Sequence, residues 1–256
     1  RDNSSMTKLI APNLVNANVS GLSYLLGSCS SLISLDASQW NASGVKDLSY
    51  MFAGCSKLTS LDLSNFVTSS ATNMAYMFQN CSGLTSLGLS SFNTANVTNM
   101  SNMLNSCSSL TSLDLSGFDT SKVTSMSNML GGCKALTELV GLSDWDTSEL
   151  KDISFAFQSL PLTNLDLGGW DLTNCTNARD AWNFMYSLAS IVFPNNLSVS
   201  FGIGQSFNLT ADNVVEIFNK LATVSTTQTA SIGANLLNKL TEDQIAIATN
   251  KGWTVA

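Results

Sequence analysis

Hydrophobic residues return to the same places every 26 positions along most of this chain. Cys29, Cys55, Cys81, Cys107 and Cys133 are each 26 apart. Leu32, Leu58, Leu84, Leu110 and Leu136 follow them by three residues, and Leu35, Leu61, Leu87, Leu113 and Leu139 come three later. Trp40, Phe66, Phe92 and Phe118 sit eleven after the cysteine, and Trp145 and Trp170 continue that row with one-residue slips. Val45, Val97 and Val123 come next, then Leu48, Met74, Met100 and Met126, then Met51, Met77, Met103 and Met129. Met6, Leu9, Leu14 and Val19 carry the rows backward, and Leu160 and Met185 take the cysteine place in later units. A fixed period of this length marks a stacked-repeat architecture, with about seven repeats and a fragment over residues 1–205.

Within a unit the period changes. "LTSLDLS" alternates, setting Leu113 and Leu115 on one face and Ser112, Asp114 and Ser116 on the other, which predicts a half-buried strand. "FDTSKV" carries turn formers. "MSNMLGGC" brings Met126, Met129, Leu130 and Cys133 together at spacings of three and four, which predicts a short helical turn ended by glycines. One unit cannot bury enough apolar surface to offset the ordering of its own backbone. Stacking completes the burial, with parallel strands about 4.8 Å apart and like side chains in rows. The fold class expected is therefore an α/β solenoid, a leucine-rich right-handed superhelix with one short parallel strand and one short helical turn per repeat.

The pattern fades after Pro194. "NLSVSFGIGQSF" reads as a last strand pair. "LTADNVVEIFNKLA" opens with Thr210 or Asp212 as N-cap and has helical spacing at Val214, Val215, Phe218 and Leu221. "TASIGANL" offers a further strand. In "LTEDQIAIATNKGWTVA", Thr241 and Gln244 form a capping box, Gly252 ends the helix, and a strand closes the chain. Residues 206–256 thus read as an α/β helix-strand cap over the open end of a solenoid spanning residues 1–205, since exposed apolar rows and strand edges need a cover.

Leu-x-x-Leu-x-Leu followed by Met-Phe/Leu-x-x-Cys, as in Leu58–Leu63 and Met77–Cys81, resembles the BspA-like leucine-rich-repeat surface proteins of bacteria. The likeness is to the subgroup with "SLDLSxFdTSxVTnMsxMFxxCSSL" units and covers roughly residues 3–200. It implies an export route, an extracellular or cell-surface setting, and a role in binding or adhesion. No catalytic residues come with it.

Composition narrows the partners. Only 11% of residues are charged and 44% are hydrophobic, which separates this chain from disordered ones. A net charge of −7 and a pI near 4.4 argue against nucleic acid and anionic membranes, which need basic patches. No apolar run is long enough to insert into a bilayer. The chain begins at Arg1 with no methionine or signal region and reads as a mature or excised piece.

Chemistry is scarce. There is no histidine and no CxxC, so zinc binding and Cys-His or Ser-His catalysis lack their parts. The five regularly spaced cysteines read as small buried thiols packed in a row, and Cys175, in the row of Val123, reads as core. The Trp/Phe row and the methionine rows read as core ladders. The sequons at Asn18 and Asn96 follow from the abundance of Asn, Ser and Thr. Neighbouring Asp144 and Asp146 read as turn residues, and neither enzyme activity nor a metal or cofactor is expected. The acidic row is the candidate site: Asp36, Asp62, Asp114 and Asp166 at the outward centres of strands, interrupted by Gly88 and Val140 and flanked by Ser34, Ser60, Ser86, Ser112 and Asn164. It either keeps an exposed sheet soluble or forms a shallow polar surface for a protein or glycan, with or without a divalent cation. The function expected is a non-catalytic binding or adhesion module of a bacterial cell-surface or secreted protein, whose partner is a host or neighbouring-cell protein or glycan. The alternatives are a structural spacer or self-assembling repeat protein, or a receptor-binding component of a bacterial virus.

Overall fold

The computed structural model describes residues 3–11, 14–15 and 19–256; Arg1 and the sequon at Asn18 lie outside the described residues. The chain winds into a β-solenoid of about nine turns with few helices. Its strand ladder is built from parallel pairs: β1 (Lys8–Ile10) with β2 (Ser34–Asp36), β3 (Ser112–Asp114) with β4 (Glu138–Val140), and β5 (Asn164–Asp166) with β6 (Ser190–Val192). Register is set leucine on leucine, Leu9 opposite Leu35 and Leu113 opposite Leu139. The ladder is not the continuous sheet that strict repetition suggests, because residues 60–62 and 86–88 keep the in-out alternation without strand pairing. The strands are also short for a local reason. At the end of β2, β3 and β5 an aspartate Oδ1 accepts the amide two residues on, Asp36 from Ser38 at 3.2 Å, Asp114 from Ser116 at 2.9 Å and Asp166 from Gly168 at 2.9 Å, and Asp62 does the same with Ser64 at 3.0 Å. This Asx turn removes the next amide from the ladder.

A second ladder is more regular. Parallel bridges join Asp47, Asn73, Asn99, Ser125, Asp152 and Asn177 in successive turns. The tight segment after each bridge is where a short helical turn was expected, and it is not an α-helix. In Met74–Cys81 the amides of Met74, Tyr76, Phe78 and Asn80 donate to Asn99, Ser101, Met103 and Asn105 of the next turn. Those of Met77, Gln79 and Cys81 donate three residues back, to Met74, Tyr76 and Phe78. Left-handed residues make the alternation possible, with φ of 63° at Tyr76 and 57° at Asn80. An α-helix would satisfy its amides within one turn of the solenoid; here half of them bind coil to coil. Apolar spacings of three and four fit both arrangements.

Inside lie the rows that the period predicts. Trp40, Phe66, Phe92, Phe118, Trp145 and Trp170 are all buried, as are the methionine rows, Leu160 and Met185. All six cysteines are buried thiols. The Sγ of Cys55, Cys81, Cys107 and Cys133 donates to the carbonyls of Leu26, Phe52, Phe78 and Leu104 at 3.1–3.3 Å. At the first turn the row slips: Leu14, placed inside by the period, is 46% exposed, and Val15 is buried instead.

At the other end a single two-residue strand, β7 (Phe201–Gly202), stands where a strand pair was expected. It joins the second ladder through the Ala178–Phe201 bridge. Next come α1 (Ala211–Lys220), β8 (Gln228–Ser231), α2 (Ala234–Leu237), α3 (Glu242–Thr249) and β9 (Trp253–Val255). Strands β7, β8 and β9 form one parallel sheet, so the second ladder runs to the end of the chain. Helices take over from the strand ladder: α1 packs on β6, and α3 on α1. Thr210, not Asp212, caps α1 in a capping box with Asn213, and Thr241 with Gln244 does the same for α3. Gly252 leaves α3 with a φ of +90°. Among the described residues no helix is long and apolar enough to cross a membrane.

Candidate binding face

The strand alternation aims every residue of the acidic row outward. Ser34, Ser60, Asp62, Ser86, Ser112, Asp114, Asn164 and Asp166 are exposed, and Asp36 is half-buried. Like residues from successive turns stand side by side, and Ser190 Oγ donates to Asn164 Oδ1 at 2.7 Å. Five exposed threonines, Thr59, Thr85, Thr111, Thr137 and Thr163, border the row, a feature hidden from simple alternation because Thr and Ser adjoin at the strand entrance.

The carboxylates have a second task. Backbone and hydroxyl donation from Ser64 holds Asp62 below the usual carboxylate range, and the Ser116 hydroxyl and amide do the same for Asp114. These groups stay ionised and are poor proton donors at neutral pH. Among the described residues no group of three or more Cys, Asp or Glu converges on a metal position. Asp146 behaves as a turn residue, its Oδ1 accepting the Ser148 amide and hydroxyl at 3.0 and 2.7 Å.

The two breaks in the acidic row are where the surface is hollowed. At Gly88 a depression of about 290 Å³ is lined by Leu87–Ser90, Asp114, Gly117 and Phe118. At Val140 and Gly141 one of about 350 Å³ reaches Asn164 and Asp166, and a smaller one lies between Asp114 and Glu138. They follow one another along the face as open, shallow hollows. Such relief suits an extended partner held by several polar contacts.

A further row escaped the sequence reading although its period was legible. Tyr24, Tyr50 and Tyr76 stack with ring centroids 4.2 and 4.3 Å apart and planes within 8°, on the tight-turn segments. All three have left-handed backbones, as do Asn102 and Asn128 later in the row.

Comparison with known proteins follows the same repeat. The family model described as "Mycoplasma protein of unknown function, DUF285" matches residues 10–88 and 85–191. Among curated proteins none matches. Similar solved structures include an internalin (inlF) from Listeria monocytogenes, 14% identical over 99% of this chain and 87% of that one, with a TM-score of 0.30. They also include the functional domain of InlJ from Listeria monocytogenes, which includes a cysteine ladder. It is 16% identical over 90% of this chain and 70% of that one, with a TM-score of 0.18.

Proposed function

The chain belongs to the DUF285 family of Mycoplasma proteins of unknown function, and from that premise we propose that it is a non-catalytic binding and adhesion module. In this reading it is secreted or displayed at a bacterial cell surface and engages a host or neighbouring-cell protein or glycan through its strand face. The observation that carries the reading is the line of shallow hollows along an exposed Thr-Ser-x-Asp face. Rigid spacing lowers the entropic cost of engaging an extended ligand. The setting is supported by the repeat wording shared with BspA-like surface proteins. The non-catalytic character is supported by the lack of histidine, by thiols held protonated through burial, and by carboxylates held ionised through turn bonds.

The test is an array of host glycoproteins and glycans probed with the parent and with Asp62→Asn combined with Asp114→Asn. Asparagine keeps the Oδ1 that closes each Asx turn and removes only the charge; alanine would break the turn as well. The variant is expected to melt with the parent and to lose binding. Equal binding by the variant would move the site off this face, and an array with no signal would favour a structural spacer.

A further inference from the structure

The repeat changes its chemistry after Asn177, at the sixth bridge of the second ladder. Two residues past each bridge stand small side chains, Ser49, Ala75, Ser101, Ser127 and Ser154, and then Arg179. The row beside it runs Tyr50, Tyr76, Asn102, Asn128 and Phe155, and then Asp180. The two charged residues lie together. Arg179 Nε is 3.5 Å from Asp180 Oδ2, and the guanidinium sits 5.7 Å from the centre of the Phe155 ring. Asp180 Oδ1 is fixed by Asn183 Nδ2 at 3.0 Å. Beside them opens a hollow of about 180 Å³, lined by Arg179, Asp180, Ser200, Phe201, Thr229 and Ser231. Gly202 stands opposite Ser231 and leaves space for the Asp180 carboxylate, since a Cβ there would come 2.8 Å from Asp180 Oδ1.

We propose that this hollow is a carbohydrate site that takes one neutral hexose-type ring of a glycan. Adjacent guanidinium donors and carboxylate acceptors match vicinal hydroxyls, each of which donates and accepts. The hydroxyls of Thr229 and Ser231 extend that pattern. Asp180 opposes an anionic ligand and Arg179 a cationic one, so the pair selects a neutral polyol. Phe201 borders the hollow while its ring stays buried against Trp182, Phe193 and Trp253. At about 180 Å³ the hollow is of the size of a single ring. The site belongs to the second ladder and does not depend on the strand-face reading.

The experiment titrates the full chain with the methyl glycosides of glucose, galactose, mannose, N-acetylglucosamine and sialic acid, read by saturation-transfer NMR. At least one neutral glycoside should bind with a Kd of about the millimolar order, the sialoside not. Gly202→Ala presses a Cβ against Asp180 and displaces its carboxylate, and Thr229→Val removes one hydroxyl at nearly constant shape. Each should weaken binding by up to about tenfold, the worth of one hydrogen bond. Asp62→Asn with Asp114→Asn should leave it unchanged. If Gly202→Ala fails to fold, Thr229→Val decides. Absence of neutral-sugar binding, preference for the sialoside, binding that survives the hollow's variants, or loss of binding in the strand-face variant would each overturn the assignment.

Discussion

The Thr94 hydroxyl and the Asp119 peptide hold each other twice across neighbouring turns: Oγ1 donates to the carbonyl at 2.9 Å and accepts the amide at 2.8 Å. Thr68 does the same with Asn93, and Thr147 with Asp171, while Thr120 donates to the Asp146 carbonyl. All four hydroxyl side chains are buried. The threonine of "FDTSKV" is therefore a staple between coils, a role for which "turn former" is an incomplete description.

Replacing Thr94 by valine keeps the shape and removes both bonds, leaving the Asp119 amide and carbonyl without that partner. The loss expected is about 1–3 kcal/mol, measured by urea unfolding against the parent. Thr94→Ser keeps the hydroxyl and should cost much less. A valine variant as stable as the parent would rule the staple out.

Tyr50 tests the backbone of the tight segment. Its φ is 57°, and the same row uses asparagine at Asn102 and Asn128, a residue that tolerates this region. Tyr50→Asn should forfeit stacking worth about 0.5–1.5 kcal/mol. Tyr50→Val should lose that and more, because a β-branched side chain is the one least tolerated at positive φ. The melting order expected is parent, asparagine, valine; valine equal to or above asparagine would contradict left-handed geometry at Tyr50.

These residues also mark what was legible in the sequence. The rows of Cys, Leu, Trp and Phe identified the solenoid because burial in a repeat is written at a fixed period. The outward aim of Asp62 and Asp114 followed from alternation alone. Alternation is silent on which amide a carboxylate takes, so the Asx turns that shorten the strands were not foreseen. The spacing of Met126, Met129, Leu130 and Cys133 fits a helix and a bridged turn alike, and only the destinations of the amides distinguish them. Leu14 and Val15 differ by one place, a slip that a fixed period cannot express. Asp180 and Gly202 come from different turns and meet only through the second ladder.

Stability should fall away at both ends of the pH scale. Hydrogen bonds from the following Ser or Thr lower the carboxyl pKa of Asp119, Asp146 and Asp171. Their contribution is present above the ordinary carboxylate value of about 3.9 and is lost as pH falls through the lowered folded values. Burial pushes Cys55 and Cys133 up to about 12. That contribution is complete below the unfolded thiol value of about 8.5 and erodes from there toward the folded value. Thermal melting from pH 2 to 11 should show a plateau between the two limbs. Iodoacetamide at pH 8 should label the native thiols slowly, since the thiolate is the reactive form; rapid labelling of Cys55 would contradict its burial.

The C-terminal helices should be needed for solubility. Val214, Ile217 and Phe218 are buried on the inner side of α1, which packs on β6, and Trp253 is buried in β9. Deleting residues 208–256 removes these elements and bares the apolar side of the last turn together with the free edge of β7. Such a surface invites edge-to-edge association. The truncated chain is expected to aggregate, or to exchange its amides fastest from the last turns inward. A milder change separates loss of cover from loss of chain. Lys251 Nζ donates to the carbonyls of Phe218, Asn219 and Leu221 at 3.0, 2.7 and 2.9 Å, tying α3 and β9 to the end of α1. Lys251→Met keeps the length of the side chain and removes the donor, and should cost about 1.5–3 kcal/mol, as for hydrogen bonds to a charged group. In hydrogen exchange that variant should open α3 and β9 while the turns around Cys81 stay protected. Uniform loss of protection along the chain would mean that the helices and the repeats unfold as one unit, and a soluble, fully protected truncation would show that the helices cover nothing the solenoid needs.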